Sequence, residues 1–245
     1  METHSSLEKA TAYLDVQFHR TDSGRRLAVG PFVTLSRESG TGGSALAEEI
    51  GRRLNRMQTV DKPAWTTFDR NLVARMLEDQ HLSSTLERFL PEDKVSEIDA
   101  SVGEIVGLHP SIWTLVHQTN SLMRRLAGLG NVIIVGRGSN LATAGTAHGL
   151  HLRLIAPPEQ RDEYTARAQG LSLDQAHAYN RKTDHARRDY VRSFFDSDIH
   201  DPACYDLIVN MAHFTIGTAA DLVVSVLHSR GEIEPLPSVS STSGP

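Results

Sequence analysis

Apolar residues along this chain fall into two kinds of pattern, and the two kinds alternate. Short, mainly apolar runs occur at Phe32 to Leu35, Val132 to Val135, His151 to Ile155 and Leu207 to Asn210, with Trp65 to Phe68 a weaker fifth. Runs of this length without polar alternation read as strands covered on both faces, as in parallel sheets. Between them the spacing is helical. Leu46, Ile50, Leu54 and Met57 follow the first run at steps of three and four. Over Ser111 to Ala127, one stripe carries Ile112, Leu115, Val116, Thr119, Leu122, Met123 and Leu126. Ser172 with Gln175 three residues on is a capping box, which opens a further helix. Strand and helix in alternation predict an α/β fold with a parallel sheet flanked by helices.

The ends differ from this middle. Residues 1–27 carry a weak helical pattern at Leu7, Ala10, Leu14 and Phe18, then the polar joint TDSGRR, and read as an appendage. Residues 231–245 finish in PLPSVSSTSGP, with little charge or bulk to bury, and are expected to form a disordered tail. The working domain is therefore residues 28–230. With 245 residues and 39% hydrophobic content, one core of useful size is available without metals or disulfides. A net charge of −5 argues against a general polyanion-binding surface, so a nucleic-acid polymer is not the expected partner. The single cysteine, Cys204, fits a reducing cytoplasm, and no signal-like or membrane-length apolar run occurs. The 12 histidines form no metal-ligand spacing.

Chemistry concentrates after the first strand, in LSRESGTGGSALAEEIGRRL. An apolar run, then Gly40, Gly42 and Gly43, then a helix, aims backbone N–H groups and the positive end of a helix dipole at one spot suited to phosphate. The phosphate-loop pattern GxxxxGK[ST] would end at Gly42, Gly43 and Ser44. Its lysine slot holds Gly43 and its first glycine slot holds Arg37, while Ser44 keeps the hydroxyl position that could bind Mg²⁺. Ser36, Arg37, Gly40, Thr41, Gly42, Gly43 and Ser44 are thus the candidate nucleotide-binding residues. Arg37 is the candidate replacement for the lysine, since a guanidinium donates to two phosphate oxygens at once. The alternative is an ordinary ion pair with Glu38.

The blocks LSRESGTGGSALAEEIGRRL, TFDRNLVARM, NVIIVGRGSN, RLIAPPEQR, RKTDHARRDYVRSFF and DPACYDLIVN stand in the order and approximate spacing of the cytidylate-kinase-like family. The chain resembles that branch of the P-loop nucleoside monophosphate kinases from about Val29 to Leu227, including the missing lysine. The resemblance implies a P-loop fold with a five-stranded parallel sheet, the phosphate loop at the switch point and a helical lid above it. It also implies ATP and Mg²⁺ as cofactors and a small nucleotide as acceptor, CMP first.

On that resemblance, Arg137, which follows a strand between two glycines, would hold the acceptor's phosphate. Lys182, Arg187 and Arg188 match the lid block and would neutralise charge on the donor side, although this chain has His185 and Ala186 where relatives often carry lysine and glutamate. Asp69 is a candidate for acceptor positioning or an outer-shell Mg²⁺ contact, against a plain capping role for the helix Arg70 to Glu78. Gln118, read as facing outward, is a candidate base-edge contact, against an ordinary solvated glutamine. Asp201 before Pro202 reads as turn chemistry. Two other functions remain open beside the nucleoside monophosphate kinase: a nucleotide sensor with little catalysis, and a kinase for another small acceptor.

Overall fold

The computed structural model describes Tyr13 and residues 30–58, 63–69 and 112–233. Its sheet is built from β1 (Phe32–Arg37), β2 (Thr66–Asp69), β3 (Val132–Val135), β4 (Gly149–Ile155) and β5 (Leu207–Asn210). The order across the sheet is β2-β3-β1-β4-β5, and every pairing is parallel. β1 lies in the middle, with β3 on one side and β4 on the other. The carboxyl end of such a central strand is the switch point where α/β sheets open a crevice for ligand.

Six helices join the strands among the described residues: α1 (Gly43–Met57), α2 (Ile112–Leu129), α3 (Ser139–Ala142), α4 (Pro158–Gln169), α5 (Leu173–Phe195) and α6 (Ile216–Ser229). Alternation along the strands feeds two cores. Val33 and Leu35 of β1, Ile133 and Val135 of β3, and Leu150, Leu152 and Leu154 of β4 meet Leu46, Ile50 and Leu54 of α1 and Val223 and Leu227 of α6. On the other face, Phe32, Phe68, Val132 and Ile134 pack against Leu122, Met123 and Leu126 of α2. Each such Leu or Ile side chain, taken fully out of water, contributes about 1.5–3 kcal/mol before its entropy cost. Tyr13, from the segment read as an appendage, is buried in this second core. Its hydroxyl donates to Gly130 O at 2.5 Å, and its ring stands edge-on to Phe68.

Boundaries depart from the sequence expectation where polar residues continue an element. β1 runs past Leu35 through Ser36 to Arg37, because β4 pairs with it as far as Arg37↔Leu154. β4 starts at Gly149 rather than His151, α2 extends to Leu129, and Trp65 is buried just ahead of β2. β5 forms the sheet edge, which leaves Ile208 39% exposed instead of covered on both faces. The capping box at Ser172 is formed in both directions, with Gln175 N donating to Ser172 Oγ and Ser172 N to Gln175 Oε1. The helix expected from Arg70 lies outside the described residues, as do nearly all of residues 1–27 and the chain beyond Ile233. Among the described residues, no helix is long and apolar enough to cross a membrane.

Candidate phosphate-binding site

β1 delivers Arg37 to the carboxyl edge of the sheet, and the chain then turns through Glu38 to Gly42 into α1. Gly42 stands before the helix with φ 74° and gives no side-chain cap. The first N–H groups of α1 are therefore left to solvent or to an anion, with the helix dipole behind them. Gly40 is fixed by packing as well as by its φ of +80°: a Cβ there would fall 2.4 Å from the carbonyl oxygen of Arg161 on α4. Thr41 Oγ1 donates to Glu38 O at 2.8 Å and tightens the same turn. Ser44 lies exposed at the start of α1.

Gly43, in the lysine slot, has a neighbour that explains it. A Cβ built there would come 3.1 Å from both Arg37 Cγ and Leu35 Cδ2, so the Arg37 stem already fills the space a longer side chain needs. The Arg37 guanidinium is brought down to about 10 by burial and by the nearby charge of Arg187, with Asp69 opposing and Arg137 adding to the shift. At neutral pH it still carries its charge. Those influences place Arg137 and Asp69, at the ends of β3 and β2, around the same guanidinium as Arg187. The alternative pairing of Arg37 with Glu38 does not form. Glu38 instead accepts from Ala156 N at 3.1 Å and faces Arg161 Nε at 3.6 Å.

α5 lies over the loop and is tied to it through Asp184. This carboxylate accepts from Ser39 N at 2.7 Å, from Arg161 Nη1 at 2.5 Å and from Arg187 Nη1 at 3.2 Å. Arg187 also donates to Arg37 O at 3.0 Å, and burial brings its own guanidinium below the usual range. Below the helix opens a cleft of ≈ 460 Å³. Arg37, Arg153, Arg161, Arg181, Lys182, Arg187 and Arg188 line it against only two carboxylates, Glu38 and Asp184. Such an excess of guanidinium groups is chemistry for phosphates.

Of the residues singled out from sequence, Arg37, Lys182, Arg187 and Arg188 share this cleft, whereas Arg137 and Asp69 approach Arg37 from the β3 and β2 side. Gln118 does not line the cleft and is half-buried on α2. Asp201 is turn chemistry as expected, its side chain accepting from Ala203 N at 2.9 Å. Arg153, Arg161 and His200 were missed. The signal for Arg153 was present, since an arginine inside the apolar run HLRLI puts a charge in a central parallel strand, where none is expected without a purpose. No group of three or more His, Cys, Asp or Glu suited to a metal ion occurs among the described residues.

Residues 32–213 match the cytidylate kinase-like family, about three-quarters of the chain. The chain belongs to that family. The match supports a kinase of nucleotides or other small molecules as the general class for this cytidylate kinase-like protein. Among solved structures, an uncharacterized protein from Eubacterium ventriosum superposes with a TM-score of 0.61 at 15% identity, covering 82% of this chain and 99% of that one. This likeness is one of fold. A shikimate kinase from Bacteroides thetaiotaomicron aligns with a TM-score of 0.44 at 16% identity, covering 81% of this chain and 98% of that chain. A gluconokinase from Sinorhizobium meliloti aligns with a TM-score of 0.39 at 12% identity, over 84% of this chain and 99% of that chain. No curated protein matches the chain in sequence.

Proposed function

We propose that this protein transfers the γ-phosphoryl group of ATP to a nucleoside monophosphate, with CMP the leading acceptor. The observation that carries the reading is that Arg37, where β1 leads into the glycine loop, and Arg187 of the overlying helix share one cationic cleft at the switch point of the sheet. Phosphoryl transfer needs positioning and positive charge far more than covalent help. An oxygen of the acceptor's phosphate attacks the γ-phosphorus in line, the bond to the β–γ bridging oxygen breaks, and ADP leaves with that oxygen's electron pair.

The donor phosphates fit over the N-terminus of α1, held by its first N–H groups and by Arg37 in place of a loop lysine. Mg²⁺ would sit at the Ser44 hydroxyl and complete its shell with phosphate oxygens and water, as this ion commonly does, supplying further charge neutralisation there. Arg187, Arg188 and Lys182 lie on the one helix that overhangs the cleft, so its closure would bring their charge to the moving phosphoryl. Arg137 and Asp69 approach from the side on which an acceptor would enter. A protein of this class works in the cytoplasm, where ATP is plentiful.

A second reading rests on Gly43 standing in the lysine slot. Without an equivalent charge the fold would bind nucleotide and report it, as a sensor. A coupled assay of ADP release with ATP, Mg²⁺ and CMP, UMP, AMP or GMP separates the two. Release dependent on one monophosphate supports the kinase; tight ATP binding with no release above the rate without acceptor supports the sensor.

A further inference from the structure

The turn Gly136-Arg137-Gly138, which carries Arg137 from β3 into α3, is held at both of its glycines. Met123 of α2 meets the first: a Cβ built on Gly136 would stand 3.4 Å from Met123 Cε. Phe195 meets the second more closely. A Cβ on Gly138 would fall 3.0 Å from Cδ2 and Cζ of the Phe195 ring and nearer still to its Cε2. Only a glycine lets the ring come so near without a shift of one or the other. Phe195 is itself half-buried. It packs against the core that α2 covers, and its ring centre lies 6.2 Å from that of Tyr190.

Phe195 is the last residue of α5, so this one helix touches both halves of the site. About 12–16 Å back along it, Asp184 and Arg187 hold the phosphate loop through Ser39 N and Arg37 O. Its far end instead holds the turn on which Arg137 stands. Asn140 of α3 donates through Nδ2 to Cys204 O at 3.0 Å, a separate tie between α3 and the chain beyond α5. Without the Phe195 ring, α3 keeps that anchor, whereas the turn at Gly138 loses the surface it rests on. A charged group displaced by about 1 Å is enough to weaken binding or catalysis severely, so a loosened turn matters to whatever Arg137 contacts.

We infer that Phe195 is a positioning residue for the acceptor: its ring fixes the turn at Gly138 and, through it, the guanidinium of Arg137. It therefore sets affinity for the monophosphate and not for the donor, although its own helix carries the donor-side cations. The inference rests on the acceptor role given to Arg137 above, and the variants chosen for the test separate the two.

The test is titration calorimetry of the full-length protein with ADP and with CMP, AMP, GMP and UMP, comparing wild type, Phe195→Ala, Arg137→Met and the double variant. Arg137→Met is expected to weaken the monophosphate that wild type prefers on the order of tenfold to a hundredfold, the range for a lost charge-assisted contact. Phe195→Ala is expected to weaken the same ligand roughly fivefold to twentyfold and to leave ADP affinity unchanged. The double variant should lose no more than Arg137→Met alone, because the ring acts through the arginine. Phe195→Leu, which keeps apolar bulk but not the ring, should lose less in the same direction and replaces the alanine variant where that one does not fold. Unchanged monophosphate affinity in a folded Phe195 variant, an equal loss for ADP, or losses that multiply in the double variant would each overturn the inference and leave the role of Arg137 standing. Unchanged monophosphate affinity in Arg137→Met, or a wild type that binds no monophosphate, overturns that role and the inference with it.

Discussion

Asp184 shows how one side chain can brace a site. Its carboxylate takes one loop N–H, from Ser39, and two guanidinium groups, from Arg161 and Arg187. Asp184→Asn keeps the shape and one acceptor but removes the charge, leaving both arginines without their counter-ion. The side chain is 25% exposed, so the full penalty of a broken buried pair does not apply, and a loss of about 1–2 kcal/mol is expected. In a thermal melt this is a fall of roughly 2–8 °C for a protein of this size, partly restored by ADP, whose phosphates bring negative charge back. A variant that melts with the wild type, with and without ADP, would show that Asp184 does not brace the loop. The same scale explains what the sequence hid. Arg37 and the glycines were legible because they follow a strand in a known order, while Arg161 looked like an ordinary helix charge and only the fold sets its backbone carbonyl against Gly40. Arg153 was overlooked because it lay inside an apolar run, where strand reading attends to the leucines around it.

Among the elements, α5 matters most, since it carries Lys182, Asp184, Arg187 and Arg188 on 23 continuous residues. Its start is fixed by Ser172, and its end by Asp196 in a left-handed turn, with φ 48°. The helix is polar along most of its length, with only Ala176, Asn180 and Val191 buried, so packing alone holds it weakly and the cap counts for more. Ser172→Ala is expected to cost about 1 kcal/mol and lower the melting temperature by about 2–4 °C. An unchanged melting curve would contradict the weight given to the cap. Strands were the most legible elements: β3, buried throughout, and β5, an edge strand that keeps its apolar run, match their expected limits residue for residue. The extension of β1 was not legible, because Ser36 and Arg37 are polar and their strand geometry comes from pairing with β4, a contact 117 residues away for Ser36 and Arg153.

At the level of the whole molecule, a mildly acidic protein of net charge −5 gathers seven of its 25 lysines and arginines around one cleft. The family match and the parallel sheet make it a member of the cytidylate kinase-like group, and the sheet's middle strand brings the loop, the overhanging helix and the buried arginines to one edge. The central claim is that Arg37 does the work usually given to a lysine one step before Ser44, and that Gly43 is glycine because the Arg37 stem occupies its space. Single-turnover phosphoryl transfer from ATP to the preferred monophosphate, measured for wild type, Arg37→Ala and the double variant Arg37→Ala with Gly43→Lys, tests this most directly. Loss of one preorganised charge contact should slow transfer on the order of a hundredfold to a thousandfold in Arg37→Ala. The lysine of the double variant, with the arginine stem gone, should recover at least about tenfold of that. Transfer by Arg37→Ala at the wild-type rate would contradict the account.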